Sequence, residues 1–554
     1  MTSFCLRSKL NVTTLEDSCH RIARELSCPP FVAAILEMQG RVSLHDIDKA
    51  RAWLSPSLDF FAASCFLGEG ARAVAERWQR LSSLGNVVVY GDYDVDGVSS
   101  TTLAMELCKE RAAGVRYYIP HRHMEGYGLH RQVVQQLLVA GCDTLIIVDC
   151  GTKDGDILKE AQQTGMNVFV FDHHLPEKGE LPASFIVNPQ IDGDKEGKLL
   201  CATAVLWLWA YQFKIMPMEW LAEHLDLVAL ATIADCMTLG SLNRALVKEG
   251  LERIRYTARP GLELLIKRLG LFHRFVNEEQ LAMKVIPCLN AAGRLAFADL
   301  AVKVLTGEEP VENHVEELIS LNRKRQNLST RITKEAVKVV EERSKHVLFE
   351  ESWPVGVLSG VASRLCSEKN APVVLAAPVQ DWIRGTLRMP EGGNAVQVLD
   401  HLSDQLEAWG GHKQAAGFSV SKDNWEKLRG DLEHILASVE YEDPEISALA
   451  LHPSQITLQD WKSALDLGPF GMGNPCPLLY CESYGNEQFL PLGKTGLHLK
   501  IQLGSEYLVA FNSVEILKTL SSSHITGWVY HPRVDFWRGQ PRLQFMLDYI
   551  VLDS

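Results

Sequence analysis

Three short apolar runs constrain this chain more than any other feature: NVVVY at 86–90, TLIIV at 144–148 and NVFVF at 167–171, each meeting an aspartate within two residues of its end. Runs this continuous do not alternate between a wet and a dry face, so they predict strands buried on both sides, as in a parallel sheet. Helical stretches separate them, and that alternation implies an α/β sheet covered on both faces. Open sheets of this kind bind ligands beyond the carboxyl ends of their strands, which is where the aspartates fall.

The first run leads into GDYDVDG, with Asp92, Asp94 and Asp96 at alternate positions. Carboxylates so close raise one another's pKa and are costly to assemble unless a cation sits among their oxygens. An EF-hand loop is excluded, because its twelfth position needs glutamate and here it is Leu103. After Gly97 the stretch SSTTLAMELCKERAA reads as a helix opened by hydroxyl caps. TLIIVDCGT adds Asp149, NVFVFDHH adds Asp172, His173 and His174, and LVALATIADCMTL adds Asp235 after a helical run, so that four acidic sites are assigned to one sheet. Carboxylates with imidazole and no thiolate suit Mn2+ or Mg2+ better than zinc. Two such ions about 3.5–4 Å apart, bridged by one carboxylate, would clamp a phosphodiester and acidify a water, which implies phosphoester hydrolysis.

With 554 residues, 46% of them hydrophobic, the chain is long enough for several cores. No apolar run approaches the ~20 residues needed to span a bilayer, and the N-terminus lacks the apolar core of a secretory signal, so a cytoplasmic protein with no membrane partner is expected. Thirteen scattered cysteines without a C-x-x-C point to reduced thiols rather than a disulfide framework or a zinc site. A net charge of -14 argues against a generally basic, nucleic-acid-coating surface while leaving room for a local basic groove.

GDYDVDG, VDCGT, DHH and ADCMTL together resemble the four motifs of the DHH phosphoesterases, and GGHKQAAGFSV resembles the glycine-histidine motif of their associated second domain. HRHMEGYGL, CLNAAGRL, GVLSGVASRL, LGPFGMGNP and DFWRGQPRLQF extend the likeness, across nearly the whole chain, to the RecJ family of single-strand-specific 5′ to 3′ exonucleases. The implied fold class is α/β: a helical lead-in at 1–80, a parallel-sheet DHH domain at 81–305, a connecting helix at 306–346, a second α/β domain of DHHA1 type at 347–440 and an OB-like β-barrel at 445–554. The implied activity is two-metal hydrolysis of single-stranded DNA to 5′-mononucleotides in DNA repair and recombination.

By motif, the resemblance implies Asp94, Asp96, Asp149, His173 and Asp235 as ligands of two divalent cations, Asp149 bridging. Asp92 either ligates or orients its neighbours. His174 would face the scissile phosphate, and Asp172 would support the loop. For the substrate, Arg122 is implied to reach a phosphate and Tyr127 to stack on a base. Arg294 would narrow the passage at the end of the NAAGR loop, which Asn290 caps or uses for binding. Thr386 and Arg388 would grip the 5′ end, and His412 would bind phosphate beside Gly410 and Gly411, whose missing Cβ atoms admit it. Phe536, Trp537 and Arg538 are candidate barrel contacts to DNA, with Trp537 equally suited to a core. The implied partner is single-stranded DNA, with a helicase or single-strand-binding protein to deliver it to a monomeric enzyme. Competing readings are a DHH phosphodiesterase of short oligonucleotides or cyclic dinucleotides, a pyrophosphatase, and an inactive DNA-binding scaffold. The barrel argues against the first two, and the complete ligand set against the last.

Overall fold

The computed structural model describes residues 5–7, 10–42, 47–122, 125–176, 185–343, 346–439, 445–493, 496–511, 513–514, 525–537 and 540–552. The chain forms two compact units. One comprises Ser55–Arg325 with Gly468–Pro475, the other Met1–Leu54, Gln326–Leu467 and Cys476–Ser554.

The first unit is built on a five-stranded sheet in the order Ala112–Tyr118, Gly85–Tyr90, Thr144–Val148, Asn167–Phe171, Ile186–Val187, every neighbouring pair parallel. Its three central strands are the three apolar runs, and their side chains divide with period two between separate cores. Val87, Val89, Ile146, Val148, Phe169 and Phe171 join one cluster, while Val88, Tyr90, Leu145, Ile147, Val168 and Val170 join the other. Both faces are therefore dry, and the strand ends are the exits from the core. Trp78 stacks edge-on against Phe169 and Trp209 at ring separations of 5.3 and 5.6 Å, fixing helices Glu69–Arg80 and Ala202–Gln212 against the sheet.

One expectation about this unit changes. The helix after the first strand is Val95–Cys108; it starts inside the aspartate motif, because the Asp94 carboxylate caps it by accepting the Gly97 N–H at 3.1 Å. Asp235 follows a helical run as expected: it is the C-terminal cap of helix Leu225–Ala234.

In the second unit, a five-stranded sheet runs Ala408–His412, Ala415–Ser421, Trp382–Arg388, Val373–Val379, Val347–Phe349. A nine-stranded sheet gathers Gln488–Leu492, His498–Leu503, Glu506–Ala510, Gln540–Leu552, Ile525–Trp537, Leu479–Glu482, Ile446–Ala450 and Leu10–Thr13 in that order, with Cys5–Arg7 paired to Gln540–Leu552. Thus the lead-in, expected to be helical, contributes two strands to the C-terminal sheet, with Leu10 opposite Ile446 and Cys5 opposite Tyr549. Strands of three and four residues carry no periodicity of their own; their partners supply it from the far end of the chain. The long helix forms as expected, over Val311–Arg343, with Leu318 and Ile332 fully buried. Of the barrel residues assigned to DNA, Arg538 and the side chains of Phe536 and Trp537 lie outside the described residues.

Candidate metal centre

At the carboxyl ends of the parallel strands, His173 Nε2 lies 3.3 Å from Asp149 Oδ1, 3.4 Å from Asp235 Oδ2 and 3.7 Å from Asp96 Oδ2. Potential ligand atoms fall into three sets, each confined within 4.8 Å: Asp92, Asp94 and Asp149; Asp96, His173 and Asp235; Asp149, His173 and His174. Asp149 belongs to two of the sets. Its backbone holds the left-handed conformation at φ 60°, rare for a side chain of this size, and its amide is tied to the Phe171 carbonyl at 3.0 Å.

Electrostatics distinguish two kinds of carboxylate here. Burial drives the pKa of Asp149 well above the usual carboxylate range, and repulsion from Asp96, Asp94, Asp235 and Asp92 adds to it. Burial, then Asp94, does the same to Asp92; burial, then Asp94 and Asp96, to Asp235. Burial lowers His173 despite the acidic groups around it. Asp149 Oδ1 and Asp92 Oδ1 are buried without a hydrogen-bond partner. Such orphaned oxygens cost free energy unless something positive meets them, and an all-oxygen set with imidazole fits a hard divalent cation.

Asp172 is the opposite case. It accepts from the N–H groups of Thr152 at 3.0 Å and His173 at 2.7 Å and from His174 Nδ1 at 2.8 Å. Burial alone would raise its pKa; the hydrogen bond and charge of His174 hold it well below the carboxylate range. Its oxygens are occupied by the loop. His174 is correspondingly raised: burial lowers it, and Asp172 outweighs that.

Two supports were not legible in the sequence. Asp96 accepts from Ala202 N at 2.7 Å, Thr203 N at 2.9 Å and Thr203 Oγ1 at 2.6 Å, so the positive start of helix Ala202–Gln212 anchors a candidate ligand 106 residues away. Asn188 donates to Thr152 Oγ1 and to the His174 carbonyl, both at 2.8 Å. Its Asn-Pro step was the available signal, since it caps helix Pro189–Asp192.

Tyr127 turns its hydroxyl inward, donating to the Asp149 carbonyl at 3.2 Å and lying 3.0 Å from His174 Nδ1, while 43% of the residue stays exposed. The Arg122 guanidinium sits 4.7 Å from the centre of the Tyr93 ring. NAAGR, expected as a loop, belongs to helix Ile286–Leu295, so Asn290 is a helical residue rather than a loop cap and Arg294 stands in the last turn. Leu289, Ala291 and Ala292 are buried, which explains the helix: the segment has an apolar face to hide.

Thr386, Arg388, Gly410 and His412 share one face of the second unit's sheet. Thr386 lies opposite Gly417 and Gly417 opposite Gly410; two residues on, Arg388 lies opposite Ala415 and Ala415 opposite His412. Arg388 donates Nη1 to Thr386 Oγ1 at 2.8 Å and Nε to Ser363 Oγ at 2.9 Å, which adds Ser363 to the cluster. Gly410 has open space where a Cβ would stand. At Gly411 a Cβ would come within 2.3 Å of the Ala415 carbonyl, so there the hairpin itself requires glycine.

Residues 86–232 match the model of the DHH family N-terminal domain, 336–438 that of the DHHA1 domain and 448–549 that of the RecJ OB domain. The single-stranded-DNA-specific exonuclease RecJ of Bacillus subtilis (strain 168) is 31% identical over 552 residues, covering 96% of this chain and 69% of that one. The chain belongs to the RecJ family. Its fold superposes on crystal structures of Thermus thermophilus RecJ in complex with Mn2+ (TM-score 0.82, 27% identity, 99% of this chain and 80% of that one) and with Mg2+ (TM-score 0.74, 25% identity, 99% and 79%). The RecJ architecture of DHH, DHHA1 and OB domains thus runs in order along this chain.

Proposed function

We propose that this protein is a single-stranded-DNA-specific exonuclease that removes 5′-mononucleotides in the 5′ to 3′ direction, using two divalent cations, Mn2+ or Mg2+. The observation that carries the reading is the pair of buried oxygens on Asp92 and Asp149 that, among the described residues, accept no hydrogen bond, within the cluster that also holds Asp94, Asp96, His173 and Asp235. Asp94, Asp96, Asp149, His173 and Asp235, with Asp92, would hold the ions. Bound there, the cations neutralise phosphodiester charge and acidify water. The chain's own residues do the rest. Asp172 favours the protonated form of His174 and aims its ring, which suits His174 to donate to a phosphate oxygen or to the leaving oxygen. The exposed ring of Tyr127 offers a base a stacking surface while its hydroxyl braces the Asp149 backbone. Thr386, Arg388, Gly410 and His412 present donors on one sheet face, suited to a terminal phosphate. We assign the 347–440 region to end recognition, the 445–554 region to holding the strand, and action to a monomer in the cytoplasm, on DNA opened by a helicase or carried by a single-strand-binding protein.

No described helix is long and apolar enough to cross a membrane. The test is digestion with Mn2+ of end-labelled linear single strands, circular single strands, duplex, a dinucleotide and pyrophosphate. The linear strand should lose its 5′ label first and the circle should survive. Mononucleotides released from the circle, or a 3′ label released first, would contradict the reading.

A further inference from the structure

The ligands of the centre are not held alike. Three donors fix the Asp96 carboxylate and one fixes that of Asp94, whereas among the described residues no backbone N–H or hydroxyl donates to the carboxylate of Asp235, which remains 24% exposed. The position of Asp235 therefore depends on its backbone, and so on the loop that joins helix Leu225–Ala234 to helix Ser241–Arg255. On the helix side the Asp235 N–H donates to the Ala231 carbonyl at 3.0 Å. On the far side Asn243 Nδ2 donates to the Thr238 carbonyl at 3.0 Å, and the Leu239 N–H donates to the Met472 carbonyl at 2.7 Å.

Met472 belongs to Gly468–Pro475, the eight residues that leave the sequence of the second unit and form part of the first. The segment is a closed turn: Gly471 N–H donates to the Asn474 carbonyl at 2.9 Å, Asn474 N–H returns to the Gly471 carbonyl at 3.1 Å, and the fully buried Asn474 side chain donates to the Pro469 carbonyl at 2.9 Å. Its Phe470 N–H donates to Glu278 Oε1 at 2.8 Å. Gly473 holds φ 75°, and a Cβ there would stand 2.6 Å from Thr238 Cγ2, so only glycine lets the turn lie this close to the loop behind Asp235.

We propose that Gly468–Pro475 is a clamp that fixes the loop carrying Asp235 and thereby sets the affinity of the His173–Asp235 side of the centre for its divalent cation, with Glu278 and Gly473 as positioning residues. The inference rests on the metal-hydrolase reading and adds a dependence to it. A chain cut near residue 450 loses the clamp as well as the strand-rich region, so the truncation removes more than a binding module.

The test is calorimetric titration of Mn2+ into the full-length protein and its variants. Glu278→Ala and Gly473→Ala should each weaken Mn2+ binding about tenfold, the scale on which supports of metal ligands act. Single-strand binding in chelator should stay unchanged, and turnover should recover at saturating Mn2+. Glu278→Gln keeps an acceptor for the Phe470 N–H and should stay within about threefold of the unaltered protein. Isotherms of Glu278→Ala and Gly473→Ala that superimpose on the unaltered one overturn the clamp alone. So does a Glu278→Gln isotherm as weak as that of Glu278→Ala, since charge would then be the cause. Should Gly473→Ala fail to fold, the Glu278 pair decides. No Mn2+ binding by the unaltered protein would overturn the hydrolase reading, and the clamp with it.

Discussion

Helix Val95–Cys108 carries a carboxylate near each end, Asp96 fully buried and Glu106 half-buried, and the two ends have opposite surroundings. Near its C-terminus Glu106 accepts from Arg259 Nη1 at 2.7 Å and Nη2 at 3.0 Å and lies 2.6 Å from His224 Nε2, while Arg259 Nε donates to Asp226 at 2.9 Å. Burial pushes the Glu106 pKa up, but hydrogen bonds from His224 and Arg259 outweigh it and pull it down to about 2. Near the N-terminus Asp96 enters the cluster with Asp92, Asp94, Asp149 and Asp235, where burial and mutual repulsion drive Asp92, Asp149 and Asp235 up together. A carboxylate that comes with its own cationic partners is scaffold. A set that lacks them is poised to recruit some.

The largest expected effect follows from removing Asp149, the proposed shared ligand. Asp149→Ala should lower turnover by about a thousandfold or more, while in chelator its thermal midpoint should equal or exceed that of the unaltered protein, because a repelled buried charge is gone. Retention of more than about a tenth of the turnover at saturating Mn2+ would break the contrast.

At the other end of the helix the signs reverse. Arg259→Ala leaves the buried Asp226 without its guanidinium and Glu106 with His224 alone, and should destabilise the fold by about 3 kcal/mol in urea unfolding. Mn2+ stoichiometry should be unchanged wherever the variant is folded.

Acid sharpens the same comparison. The folded pKa of Glu106 lies below its ordinary 4.5, so its contribution is fully present above that pH and is lost as pH falls toward about 2. In chelator, Glu106→Gln should be less stable than the unaltered protein by up to about 3 kcal/mol near pH 6, with the gap closing below pH ~4.5. A gap independent of pH would mean that Glu106 acts through packing. Asp149 works the other way: its folded pKa is raised, so protonation as pH falls toward its ordinary 3.8 favours the folded, metal-free state.

The smallest effect lies outside both clusters, on the sheet face of Thr386, Arg388 and His412. Arg388→Ala should raise KM for a 5′-phosphorylated strand about tenfold and change kcat by less than about threefold, as expected for binding carried equally into the transition state. A kcat loss equal to the rise in KM would move Arg388 into the chemistry.

The amino-acid sequence by itself determined the elements whose information is local. Five-residue β-branched runs make the central strands, and their ends deliver Asp92, Asp149, Asp172, His173 and His174 to one edge. Only the tertiary structure decided that Asp235 meets His173 and Asp96, that Ala202 and Thr203 anchor Asp96, that Cys5–Arg7 and Leu10–Thr13 complete a C-terminal sheet, and that Thr386, Arg388 and His412 share a face. It also brought Met472 to Leu239. The reason is range. Periodicity and capping are set within about ten residues, because they depend on a side chain's nearest neighbours along the backbone. Contacts across hundreds of residues form only when separate cores have packed, and no residue involved carries a local mark of its distant partner.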